Sequence, residues 1–167
     1  SHARPAAGFC RTPALRAAGV PVGLGVDGVA SNEQGTLVTE LRQALWSARQ
    51  GAQDPSALSA AEALEMGTIG GAACLGRRDI GRLAVGARAD LVVWPGDDVA
   101  DIPDPVEAIV LGPDRRARHV LVGGQPIVTD GTLLGMDLHA ARPALAVRAR
   151  RLWGCSGEQR PRRPAPG

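Results

Sequence analysis

Residues 19–32, GVPVGLGVDGVASN, form an apolar run that stops at one acidic residue, Asp27, set between small residues. Val20, Val22, Leu24 and Val26 alternate with Pro21, Gly23 and Gly25, which predicts a buried strand over Val20–Val26. The turn that Gly28 allows would leave Asp27 at the carboxyl end of that strand, the end of a parallel α/β barrel where chemistry collects. An Asp ahead of a Gly also suits a plain turn or a helix cap, and the stretch alone leaves both readings open.

Helical signals flank it. A short helix over residues 12–18 leads into the strand, and Gly35 to Arg49 reads as the next helix, with Leu37, Leu41 and Leu45 recurring every four residues beside Val38. Asp54-Pro55 breaks the chain. Ser59 then reads as an N-cap, and Glu62 three positions later completes a capping box. The helix it starts uses Ala63, Leu64, Ile69 and Cys74 as apolar surface. Gly70-Gly71 allows close backbone approach, and Gly76 suits a C-cap.

Beyond Arg78 the periodicity shortens. A strand is predicted over Ala89 to Trp94 and another over Ala108 to Leu111, and a hairpin over His119 to Gly123 and Gln125 to Thr129 about Gly123-Gly124. Short strands separated by Gly, Pro and Asp suit an antiparallel sandwich. A terminal amphipathic helix is expected over residues 137–153, and the Pro- and Arg-rich stretch 154–167 reads as a disordered tail.

Composition narrows the chemistry. The 167 residues carry a net charge of +2, and all 19 basic residues are Arg. Without Lys or Tyr the sequence offers no Schiff-base amine, no P-loop lysine and no phenolic acid or base. Cys10, Cys74 and Cys155 are odd in number and far apart, which suits neither a disulfide framework nor a zinc knuckle. Arg148, Arg150, Arg151, Arg160, Arg162 and Arg163 cluster near the end. With aromatic residues at 2% there is no stacking platform among them, so the cluster reads as a solvated tail and no nucleic-acid partner is expected. No long apolar span is seen, so no membrane partner is expected and the default compartment is cytoplasmic.

Three blocks carry a wider resemblance: VGLGVDGVASNE at Val22 to Glu33, SAAEALEMGTIGGAACLGRRDIGRLAVGARADLVVW at Ser59 to Trp94, and HVLVGGQPIVTDG at His119 to Gly131. From Ser1 to about Leu152 the chain resembles the carboxyl-terminal part of the metal-dependent amidohydrolase superfamily. The similarity is to its branch of nucleobase deaminases and aminohydrolases, typified by 8-oxoguanine deaminase and hydroxydechloroatrazine ethylaminohydrolase. The resemblance implies an α/β fold: residues 1–78 as the last strand and helices of a (β/α)₈ barrel, residues 79–136 as a small antiparallel β-sandwich portion, the whole an incomplete fold. It implies hydrolytic deamination of an amino-purine or related heterocycle, so the expected partner is a small-molecule substrate, with a homo-oligomer possible for the full-length protein. One divalent metal ion, zinc being the expected one, would have most of its ligands outside this chain.

Within this chain Asp27 is then the expected metal ligand and catalytic acid/base, with Ser31 and Asn32 as substrate-binding or carboxylate-orienting residues. The family's His-x-His pair and its further His and Glu residues are expected upstream of the matched region; His2, His119 and His139 form no such pair. His2 stands where the family's Ser-Asn pair has its Asn, and reads better as a surface residue than as part of the pocket mouth. His119 and His139 read as partly exposed, and Asp90 as support for the turn at Gly86. An alternative class stays open, an inactive interaction or scaffold module built from the same family.

Overall fold

Three helices form the core, each through one apolar face. The computed structural model of the chain describes residues 6, 8–28, 31, 32 and 34–155. Helix α1 spans Thr12–Ala17 and carries Pro13 in its first turn, where N–H groups have no helical partner. Helix α2 spans Leu37–Ala52 and buries Leu41, Leu45 and Ala48. Helix α3, Ala60–Glu65, begins at the expected capping box: Glu62 N–H donates to Ser59 Oγ at 3.2 Å, and Ser59 N–H donates to Glu62 Oε2 at 2.8 Å. The helical path then widens into a π turn over Met66–Gly70 and closes as α4, Gly71–Cys74. The second core partner is α5, Pro105–Leu111, which buries Ala108 and Val110.

Leu41, Leu45, Leu58, Ala63, Met66 and Val110 make the buried cluster where α2, α3 and α5 meet. Arg42 ties α2 to the end of α5, donating from Nε to Val110 O at 3.0 Å and from its Nη2 to Gly112 O, with Asp114 at 3.4 Å. Arg115 donates to Ala108 O and to Pro95 O, joining α5 to the edge of the sheet.

The sheet is an antiparallel meander in the order β1-β2-β3-β4, formed by Leu91–Val93, His119–Val122, Gln125–Thr129 and Thr132–Leu133. Register pairs Leu91 with Leu121 and Val93 with His119, and slips by a bulge between Val120 and Leu121 in the β2–β3 ladder. Gly123 and Gly124 have φ of 57° and 82°, the two positive values that a two-residue type I′ hairpin demands. Helix α6, Leu138–Cys155, follows, with Asp137 Oδ1 accepting from the His139 and Ala140 amides at its start.

Several expectations are corrected. Residues 20–26 form no strand: a barrel strand is held by ladder bonds to its neighbours, and the bond this segment makes across the chain is Leu24 N–H to Met66 O at 3.3 Å. Ala108 to Leu111 is helical, because Asp104 caps it through the Val106 amide and Pro105 sets its first turn. The sheet occupies the region expected as a small antiparallel sandwich portion, and among the described residues it is the one sheet. The terminal helix runs past Trp153 to Cys155, and most of its length is exposed on every side rather than half-buried. The rest of the expected tail, residues 156–167, lies outside the described residues.

The capping box makes a local prediction. Ser59→Ala is expected to cost α3 about 1 kcal/mol, read as a roughly fivefold faster hydrogen exchange of the Glu62 and Ala63 amides. The Ser59 N–H and hydroxyl hold the Glu62 carboxyl below its ordinary value of 4.5. Its contribution is therefore complete above that value and fades as pH falls through the lowered one. A Glu62→Gln variant should lose that acid-side dependence.

Candidate active site

Glycines decide how the Asp27 segment meets the helices. A Cβ on Gly70 would collide with the Val22 carbonyl, and one on Gly23 would fall 2.9 Å from Gly71 Cα. Segment 22–24 therefore rests backbone against backbone on the π turn and α4, while Val22 and Leu24 pack beside the core cluster. Asp27 lies three residues beyond this seam.

Asp27 is exposed and has φ of 61°, a left-handed conformation that costs a side-chain-bearing residue energy. Its carboxylate is gripped on both oxygens: Gly28 N–H donates to Oδ1 at 2.7 Å and the Ser31 hydroxyl donates to Oδ2 at 2.7 Å. The Ser31 and Asn32 amides both donate to Gly28 O at 3.0 Å, which closes the turn. Carboxylate oxygens accept protons and are common ligands of divalent ions. The donor chemistry thus fits one ligand position of a divalent ion. Among the described residues no group of three His, Cys, Asp or Glu side chains stands ready to complete such a site.

Asn32 is placed differently from a pocket-lining residue. It is 8% exposed; its Nδ2 donates to Val26 O and to Glu40 Oε1, each at 2.8 Å, and its Oδ1 accepts from the Gln34 and Gly35 amides. Two donors and two acceptor directions are all an Asn has, so this side chain is spent inside the protein. Glu40, in the first turn of α2, escaped notice in the sequence, where it is one acidic residue at a helix start.

The remaining candidates stand apart. Asp90 Oδ1 accepts from the Gly123 amide at 2.6 Å and lies 3.4 Å from Arg88 Nε, so it braces the β2–β3 hairpin and not the turn at Gly86. His119 opens β2, its Nδ1 facing the Asp130 amide at 3.5 Å. His139 sits in the first turn of α6, and His2 lies outside the described residues. An open cavity of about 560 Å³ between segment 22–24 and the π turn is lined by Gly23, Thr68, Gly81 and Asp90 among others; Asp27, Ser31 and Asn32 do not line it. Its walls are mostly glycine and alkyl surface, with Asp90 the one carboxylate on them. No described helix is long and apolar enough to cross a membrane.

Comparison with known proteins adds a family. Residues 7–127 match the amidohydrolase family. The chain is 44% identical over 144 residues to an 8-oxoguanine deaminase of Pseudomonas aeruginosa, covering 84% of this chain and 31% of that protein. It is 39% identical over 163 residues to a 5-methylthioadenosine/S-adenosylhomocysteine deaminase of Halobacterium salinarum, covering 95% and 37%. In structure it is similar to a zinc-bound adenosine deaminase from Xanthomonas campestris, with a TM-score of 0.84 at 34% identity over 90% of this chain and 35% of that one. A zinc complex of atrazine chlorohydrolase from Arthrobacter aurescens gives 0.81 at 34% identity, over 87% and 33%. The chain spans about a third of the length of these two curated relatives.

Proposed function

The chain belongs to the amidohydrolase family, and from that premise we propose that it is the carboxyl-terminal part of a metal-dependent hydrolase that deaminates an amino-purine or related heterocycle. The observation that carries the reading is the exposed Asp27 carboxylate, gripped by Gly28 and Ser31 inside the block shared with the deaminase branch. Relatives named for 8-oxoguanine and for methylthioadenosine support a purine as substrate. The barrel ending and sandwich portion belong to the same proposal, the missing strands being supplied by the upstream polypeptide.

Asp27 would give one oxygen to a divalent ion, zinc by analogy with the bound metal of the structural relatives, with the other ligands outside this chain. When bound, such an ion supplies an acidified water as nucleophile at neutral pH. Asp27 accepts the proton of the attacking water and returns it to the departing nitrogen, so ring–NH₂ plus H₂O becomes ring–OH, or its oxo tautomer, plus NH₃. Ser31 keeps the carboxylate turned outward through Oδ2. Both duties need a carboxylate within hydrogen-bond reach of the reacting atoms.

The test joins this chain to its upstream part and measures ammonia released from a panel of amino-purines, aminopterins and aminotriazines. Release is expected from at least one, abolished by chelator and restored by zinc. Silence across the panel, or turnover indifferent to chelator, would defeat the proposal and favour an interaction module.

A further inference from the structure

We propose that Glu40 is a positioning residue for Asp27, acting through Asn32; this rests on the reading of Asp27 given above. Asp27 holds a left-handed φ of 61°, which Asp tolerates better than most side-chain-bearing residues and which its hydrogen-bonded surroundings here favour. Those bonds come from both sides. After Asp27, the Gly28 carbonyl is fixed by the Ser31 and Asn32 amides. Before it, the Val26 carbonyl is fixed by the Asn32 side-chain amide at 2.8 Å. The second hydrogen of that same amide goes to Glu40 Oε1, also at 2.8 Å.

Glu40 stands on the part of this network that cannot drift. It belongs to α2, whose next residue, Leu41, and then Leu45 lie in the core. The acceptor is thus carried by a packed helix, whereas Val26, Gly28 and Ser31 lie in irregular chain. A site held by rigid elements keeps its geometry better than one built on loops alone. Asn32 translates the position of α2 into the position of the Val26 carbonyl, and so into the direction in which Asp27 presents its carboxylate.

Removing the acceptor leaves an Asn32 N–H almost out of reach of water with no partner, and a buried donor without a partner is costly. The amide would turn to recover a bond, and the Val26 carbonyl would lose its anchor. The chain about Asp27 could then relax from φ of 61° toward an ordinary value. Both hydrogen bonds of the carboxylate depend on that turn. A catalytic group displaced by about 1 Å loses on the order of 10²-fold in rate.

The experiment uses the longer polypeptide that contains this chain, loaded with zinc, and compares Glu40→Ala, Glu40→Gln and Asp27→Asn. Melting curves give the folded fraction to which each rate is normalised. Expected for Glu40→Ala is a kcat per folded molecule lower by at least about tenfold, KM within about twofold, and faster zinc loss to a chelator. Glu40→Gln keeps an acceptor oxygen for Asn32 and should recover most of both. A Glu40→Ala protein whose kcat and zinc retention per folded molecule equal the parent's would overturn the proposal. So would a Glu40→Gln protein as impaired as Glu40→Ala, since charge and not the hydrogen bond would then matter. Should Asp27→Asn abolish turnover while Glu40→Ala leaves it intact, the positioning role alone falls. Should Asp27→Asn itself be silent, the reading of Asp27 falls and takes this role with it.

Discussion

Asp27→Asn, placed in the polypeptide that carries this chain and its upstream part, is expected to lower kcat by about 10²-fold or more, the loss that follows removal of a general acid/base. Its melting temperature should stay level or rise. Asn is among the side chains most tolerant of the left-handed φ of 61° that Asp27 adopts. The Gly28 amide can still donate to its carbonyl oxygen, and the Ser31 hydroxyl, now facing an amide N–H, can turn and accept. Shape is retained and basicity is lost. Steady-state ammonia release beside a thermal melt of the same preparation gives both quantities. A rate within about threefold of the parent's, well short of the loss expected of a general base, would remove Asp27 from the chemistry.

The second large effect concerns the chain expressed alone, which is expected to self-associate and bind a hydrophobic dye. Leu83 is 84% exposed, Leu152 74% and Trp153 76%, and Val85 has no cover at all. On α6 the exposed Leu138, Leu145 and Leu152 recur every seven residues, which puts them on one face of the helix. Val92, Val93 and Val122 are similarly open on the sheet. Soluble monomers seldom leave contiguous apolar surface beyond a few hundred Å². Gel filtration and sedimentation should show species larger than the 17.2 kDa monomer, and joining the chain to its upstream part should suppress them. A monomer that unfolds in one cooperative step at micromolar concentration would show instead that the core of α2, α3 and α5 suffices.

What could be read from the sequence was what neighbours in the chain decide. The capping box at Ser59 and Glu62 needs only four consecutive residues, and the hairpin at Gly123-Gly124 needs only two with positive φ. Both are present as read. The close approach at Gly70 was readable as a possibility, because a paired glycine has few other uses inside a helix, but its partner, the Val22 carbonyl, was not. The strand expected at Val20–Val26 failed for the complementary reason: alternation prepares a segment for a ladder, and the ladder must come from other strands. At Ala108–Leu111 a short apolar run was ambiguous between strand and helix, and the Asp104-Pro105 start signal, correctly weighed, would have resolved it. In the site, Asp27 stood out as the one acid in an apolar run, and Ser31 was near enough in sequence to be associated with it. Glu40 had no such marker, since its bond to Asn32 spans eight residues and a helix start.

The hydrogen bond from the Gly28 amide to Asp27 carries a chemical consequence for the age of a sample. It holds the backbone nitrogen of the next residue beside the side-chain carboxyl group, and that next residue is a glycine, which has no side chain to shield the nitrogen. This is the arrangement from which an aspartyl or asparaginyl side chain cyclises to a succinimide. For Asp27 the ring closes with loss of water, and reopening by hydrolysis diverts part of the population to isoaspartate, with the backbone rerouted through the side chain. For the asparagine variant the leaving group is ammonia, and reopening restores aspartate in some molecules. On storage, part of the Asp27 population is therefore expected to become isoaspartate, which peptide mapping reads, while an Asp27→Asn preparation is expected to gain aspartate at that position.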